Sequence, residues 1–398
     1  MSQRCLLLAG SWGPERMPAR PDRDDADWYL PLHIRDAAAA RERIAAQVAA
    51  GADVVVAPTW LTHRRALLPL GETRRAAAWT AAAVRLAREA VEIGSERREE
   101  LLTEAGVDDV RRGRPRPLVA AALPALDDHL DAAAGRLLPQ DAASERDYRD
   151  QAGLLADAEP DLLLVEGAPT EADSRIAAAE AAATGLPAWL ALPHAAVATS
   201  PPDAWLDWGH HIGLARLLLP DLASAIAAAD TAAPWGGLPR DAGDVSAWLD
   251  VGAGALARLD GASPTTLAPI RTAIDEVERV AIERERAAAR HWQGIVQRAA
   301  AMAPGGPALW LGPAADAPLP AGFDWLLADT EELPRMPRGH FRLLIMAAAT
   351  EADLAPLLEH GGILVAPLTG PSEHIRNVRC VVADDDAQPP LAIYRREA

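Results

Sequence analysis

The sequence predicts an α/β protein, a closed (β/α)8 barrel followed by a smaller α/β module. Three observations carry this reading. Short apolar segments of strand length alternate with helical patterns over about the first 280 residues. Eight such segments can be counted, the number that closes a barrel of about 250 residues. After the break Ala-Pro-Gly-Gly-Pro at 303–307, further strand-like runs resume in a shorter stretch.

The elements are expected in this order. Cys5–Ala9 is the first strand, followed by a helix over Ile34–Ala50. Asp53–Ala57 is the second, followed by the alanine-rich helix Thr73–Ile93. Leu118–Leu123, Asp161–Glu166, Ala188–Pro193 and His211–Arg216 are strands three to six. Thr231–Trp235 is the seventh, in a string rich in turn residues, and Ala253–Leu259 the eighth. Amphipathic segments at Ala172–Ala183 and Leu222–Ala229 fill two of the intervals. The barrel is placed at 1–285 and a charged helical connector at 286–303. The second module covers 304–398, with strands at Ala308–Leu311, Asp324–Ala328, Phe341–Met346, Gly362–Pro367 and Val378–Ala383.

Composition excludes several chemistries. A formal net charge of −18 repels nucleic acid and anionic membranes, so neither is an expected partner. All 39 basic residues are arginine, which removes lysine Schiff bases, a phosphate-loop lysine and a pyridoxal-phosphate anchor. The lysine deficit and alanine excess are read as coding bias. The two cysteines, Cys5 and Cys380, support neither a disulfide framework nor a multi-cysteine metal site. The opening apolar run is too short for a signal peptide, and no run reaches membrane-spanning length. A cytoplasmic protein is expected.

Five segments carry a family resemblance: LLLAGSWGPE (6–15), AGADVVVAPTW (50–60), AVRLAREA (83–90), DLLLVEGAPTEADSRIAAAEAAATGLPAWLAL (161–192) and GAGALARLDGASPTTLAPI (252–270). In order and spacing they resemble the homocysteine S-methyltransferase family, a TIM barrel. The resemblance implies methyl transfer to a small amino acid-like acceptor, thiol or related. S-adenosylmethionine or another methyl donor is implied as a substrate, with no bound cofactor assigned. In that family three thiolates hold a zinc ion that activates the acceptor thiol, one at the end of strand six and a pair at the end of strand eight. Here those positions fall on or near Arg216 and on Leu259 and Asp260, so the thiolate zinc site is expected to be lost and no metal is assigned. Ala9 and Pro58 replace the aspartate and asparagine usual at the first two strand ends.

Active sites of such barrels form at the C-terminal strand ends. The expected groups there are Glu166, His194, Arg216 and Asp260, with Trp12, Trp60 and Trp235 in loops on the same face. Glu166 and Arg216 would take a substrate's ammonium and carboxylate, with Trp12 and Trp60 lining the site, and Asp260 and His194 are the candidate bases. His210 and His211, at the start of the expected sixth strand, would lie at the opposite end. Against the methyltransferase stands a non-catalytic paralogue that binds a ligand or serves as a scaffold.

In the second module, FRLLIMAAATEADLAPLLEHGGILVAPL (341–368) resembles the later half of a Rossmann-type S-adenosylmethionine methyltransferase. Upstream, ALWLGPAAD (308–316) keeps only Gly312 of the expected glycine-rich turn, and Asp329 is the next acidic strand end. A degenerate domain is expected, serving assembly with a second copy or a partner protein. A third reading places a methyltransferase's chemistry in this module.

Overall fold

The structure, a computed structural model, describes residues 4–10, 30–68, 70–104, 114–126, 143–167, 170–229, 233–259, 262–303, 305–311, 319–328, 335–338, 340–346, 357–367, 378–384 and 391–396. Contacts divide the chain into Met1–Arg279 and Val280–Ala398, with the division inside one helix, α11 (Pro264–Met302).

The first unit is a closed barrel of eight parallel strands: β1 (Leu6–Ala9), β2 (Val54–Ala57), β3 (Leu118–Pro124), β4 (Leu162–Glu166), β5 (Ala188–Ala191), β6 (Arg216–Leu219), β7 (Trp235–Gly237) and β8 (Ala255–Arg258). Leu6 to Ala9 pair with Ala255 to Arg258, which closes the ring. Strands covered on both faces are near-continuous apolar runs, as in VVVA, LLLVE and RLLL, where the only charged residues, Glu166 and Arg216, stand at a strand end. The outer layer contains α1 (Leu32–Arg35), α2 (Ala37–Ala49), α3 (Arg64–Leu67), α4 (Ala76–Glu104), α5 (Glu145–Asp157), α6 (Glu171–Ala183), α7 (His194–Thr199), α8 (Pro202–His211), α9 (Leu222–Ala228), α10 (Val245–Asp250) and the first part of α11.

Local chemistry sets the helix starts. Asp36, Ser144, Thr170 and Asp221 each accept a backbone N–H of the first turn of α2, α5, α6 and α9, satisfying donors that have no intrahelical partner. At Ser144 the cap is reciprocal, since Asp147 accepts from the Ser144 amide. Ser263 and Thr266 form a similar reciprocal pair ahead of α11, with Pro264 at its first position.

Two strands differ from the sequence expectation. The sixth is Arg216–Leu219, not His211–Arg216: α8 runs through His211, and Gly213 turns the chain at φ 82° before the strand begins. His210 and His211 are thus the last residues of a helix. The seventh is Trp235–Gly237, whose two glycines serve packing. A Cβ on Gly237 would lie 2.1 Å from the Trp248 ring, and one on Gly236 would lie 2.4 Å from the Ala255 carbonyl oxygen.

Beneath the barrel, around the strand N-termini, lies a buried ion network. Asp53, which precedes β2, accepts the Leu7 amide at 2.9 Å and the Arg271 guanidinium at 2.7 Å. Arg114 reaches Asp53 at 3.3 Å, Asp275 at 2.9 Å and Glu278 at 2.7 Å, and Glu278 also accepts the Cys5 amide. Asp161 repeats the device ahead of β4 by accepting the Val119 amide at 2.7 Å.

The second unit holds a six-stranded sheet of β9 (Gly306–Leu311), β10 (Phe323–Ala328), β11 (Phe341–Met346), β12 (Leu358–Pro367), β13 (Val378–Asp384) and β14 (Leu391–Arg396). Its order is β10-β9-β11-β12-β14-β13; the first four strands are parallel, and β14 runs antiparallel to both neighbours. Buried Trp310, Leu343, Ile345, Ile363, Val365 and Ile393 pack with Ile295, Val296 and Ala299 of α11. β14 is a strand additional to those read from the sequence. Among the described residues no helix is long and apolar enough to cross a membrane.

Candidate active site at the barrel mouth

The mouth is assembled from strand ends. Gly10 follows β1 with φ +155°, where a Cβ would meet Val56 at 2.4 Å, so only glycine lets β1 end against β2. Past β2, the Thr59 hydroxyl donates to the Ala122 carbonyl at 3.1 Å and accepts the Ala122 amide at 2.9 Å, stitching this loop to β3. Trp60 is buried behind it, and its ring edge lies 3.0 Å from where a Cβ on Gly167 would be. Glu166, the last residue of β4, is 2% exposed. A carboxylate buried at a strand end stands in a low-dielectric setting that strengthens any pairing with a cation.

His194 opens α7 just past β5, and its side chain is 75% exposed. Its Nδ1 lies 3.4 Å from Asp221 Oδ2, just past β6. Asp221 also accepts the Ser224 amide at 2.8 Å. Burial would raise the Asp221 pKa; the hydrogen bonds from Ser224 and the nearby imidazole outweigh it and hold the carboxyl below its ordinary value. At the end of β8, Arg258 donates to the carbonyls of Pro239 at 3.1 Å and Arg240 at 2.5 Å, which anchors the loop after β7.

Arg216 is not at the mouth. It is the first residue of β6, at the opposite end of the strand, because the strand begins where the sequence reading had ended it. Its guanidinium donates to the Trp235 carbonyl at 3.1 Å and lies over the Trp189 ring at 5.1 Å, and burial pushes its pKa below the ordinary arginine range. Trp235, expected in a mouth loop, is the first residue of β7 and is buried there. The structure therefore brings Glu166, Trp60 and His194 to one end of the barrel and leaves Arg216 at the other. Asp260 and Trp12 lie outside the described residues.

Asp221 was missed in the sequence. The signal was available, since Pro-Asp after an apolar run followed by Ser three positions on is a helix N-cap pattern. Placing the sixth strand five residues early, at His211–Arg216, obscures it. The same shift moves the strand-six tip from Arg216 to Leu219, while Leu259 directly follows β8. Neither leucine has a donor atom. Cys5 is buried below the first strand, where burial pushes its thiol up to about 12, and Cys380 belongs to β13 of the other unit.

Comparison with known proteins bears on this mouth. The family model for homocysteine S-methyltransferase matches residues 30–204. That stretch of the barrel carries the family's pattern. It runs from just before α1 into α8 and so includes Trp60, Glu166 and His194, while β6 to β8 lie beyond it. Among solved structures, the metallated homocysteine methyltransferase MmuM from Escherichia coli is similar with a TM-score of 0.52 at 19% identity, covering 68% of this chain and 96% of that one. Its oxidized form gives 0.50 at 20% identity, covering 67% and 95%. At such identities the likeness shows the barrel fold. No curated protein matches the chain.

Proposed function

We propose that the barrel transfers a methyl group to a small amino acid-like acceptor, a thiol or a related nucleophile, without a thiolate zinc. The observation that carries this is Glu166, a carboxylate 2% exposed at the tip of β4, inside the stretch that matches the homocysteine S-methyltransferase family. It would hold the acceptor's ammonium group, with Trp60 and Trp12 as apolar walls.

Without zinc, the acceptor proton needs a base. The pairing with Asp221 places the His194 proton on Nδ1 and leaves Nε2 to accept. As the acceptor's S–H proton passes to Nε2, its sulfur forms a bond to the donor's methyl carbon. The donor's C–S⁺ bond breaks at the same time, and a neutral thioether leaves. S-adenosylmethionine is a donor of that class. Asp260 is the second proposed base. Arg216, sequestered below the barrel, drops out of the proposed site.

Two readings compete with this one. Leu219 and Leu259, which stand at the tips of β6 and β8 and carry no donor atom, favour a non-catalytic paralogue that binds a ligand or a partner. The second sheet supplies the other, since its strand order reverses between β9 and β11, the kind of switch point where α/β sheets bind ligands.

The test is calorimetry with homocysteine and with S-adenosylmethionine, paired with a methyl-transfer assay on the purified full chain and its zinc content. Homocysteine binding that weakens tenfold or more in Glu166→Gln, with turnover in zinc-free protein, is expected. No turnover and unchanged binding in Glu166→Gln would overturn the proposal in favour of the paralogue. Stoichiometric zinc required for activity would overturn the zinc-free chemistry.

A further inference from the structure

Away from the mouth, a cavity of about 730 Å³ lies between the C-terminal ends of α2 and α4 and the N-terminal part of α11. That volume falls within the range of roughly 300–1,000 Å³ typical of small-molecule sites. One side of the cavity is apolar: Ala46, Ala49 and Ala50 of α2 and its cap, Ala268 of α11, and Leu101 of α4, which is 54% exposed. The other side is charged, with Arg97, Arg98 and Arg271 alongside the carboxylates of Glu100, Glu104 and Asp275.

Arg98 has no hydrogen-bond or ion-pair partner among the described residues, although burial lowers its pKa, against the opposing pull of Asp53. Arg271 is only 5% exposed; its Nη1 binds Asp53 at 2.7 Å and its Nε lies 3.3 Å from Asp275, while its buried Nη2 has no hydrogen-bond partner. A buried guanidinium donor left without an acceptor is costly, so its retention beside an open cavity calls for one. Gly51 keeps the space open at this point, since a Cβ there would lie 2.4 Å from Arg271 Cγ. Neighbouring Arg97 is already engaged by Glu42 in a two-pronged pair at 2.6 and 2.9 Å, which leaves Arg98 and Arg271 as the available donors.

We infer that this cavity is a binding site for a small organic anion, its carboxylate or equivalent acid group on Arg98 and Arg271 and its apolar body on Ala49, Leu101 and Ala268. Arginine suits the task because its planar fork meets two acceptor oxygens at once. The inference is independent of the reaction proposed for the barrel mouth.

Octanoate is the probe, with inorganic phosphate as an anion lacking an apolar body, each titrated calorimetrically into the full chain. Octanoate is expected to bind at least tenfold more tightly than phosphate. Arg98→Gln, which breaks no pair in the folded protein, should weaken octanoate tenfold or more, and Ala49→Trp, which fills the apolar side, should abolish its binding. Circular dichroism confirms that each variant is folded. Absence of octanoate binding, unchanged affinity in Arg98→Gln, or phosphate binding as tightly as octanoate would each overturn the assignment.

Discussion

Buried histidines give the barrel a pH dependence that can be read residue by residue. His63 caps α3 by accepting the Ala66 amide at 3.2 Å, and burial pushes its pKa down to about 3. His33 of α1 is lowered to about 4, again mainly by burial. Both are neutral in the folded chain, whereas in the unfolded chain they titrate near 6.5. Their contribution is therefore intact above pH 6.5 and is lost as pH falls toward 4 and then 3. Denaturant unfolding at pH 7 and pH 5 should show a loss of about 2 kcal/mol per buried histidine. His63→Asn should flatten that slope, and a stability that does not change between these pH values would contradict the burial account. Cys5 is the same effect on an acid: its thiol, held at about 12, should resist iodoacetamide in the native protein and label on unfolding, as peptide mass spectrometry would show.

At the scale of an element, the seventh unit shows why a strand can be hard to read. Trp-Gly-Gly has neither the alternation nor the apolar run of a strand, and its glycines look like turn residues. Their reason is Trp248 of α10, whose ring lies flat where a Gly237 side chain would stand. Gly237→Ala should therefore cost about 1–3 kcal/mol, measured as a shift in the unfolding midpoint. Gly252→Ala serves as a contrast, since a Cβ there meets no atom within 4 Å and the effect comes from its φ of +97° alone. The sixth strand departs from the expected one for a related reason. HIGLAR has strand-like residues, but α8 claims the histidines and Gly213 ends that helix, which moves the strand to RLLL.

At the scale of the barrel unit, closure depends on charges far apart in sequence. Asp53 joins the β1 backbone, Arg114 and Arg271, and the network extends to Asp275, Glu278 and the Cys5 amide. Removing one partner leaves a buried charge uncompensated, so Asp53→Asn should destabilise the protein by about 3–5 kcal/mol in urea unfolding. An effect below about 1 kcal/mol would mean that the network is solvated.

The sequence by itself determined the barrel, because eight apolar runs separated by helical patterns have few other ways to bury both faces of a sheet. It determined equally that three thiolates are not available to a metal, since two cysteines cannot supply them. Glu166 and His194 were legible because each stands directly at the end of a strong apolar run, where the topology places strand tips. The tertiary structure decided which end of the barrel each remaining polar group occupies. A strand start that moves by five residues, from His211 to Arg216, carried Arg216 from the mouth to the base and put Asp221 beside His194. It also decided the cavity beside Arg98 and Arg271, which joins side chains of three helices that no local pattern connects. Periodicity fixes which residues are buried together along one element; only packing sets which charges of distant elements meet.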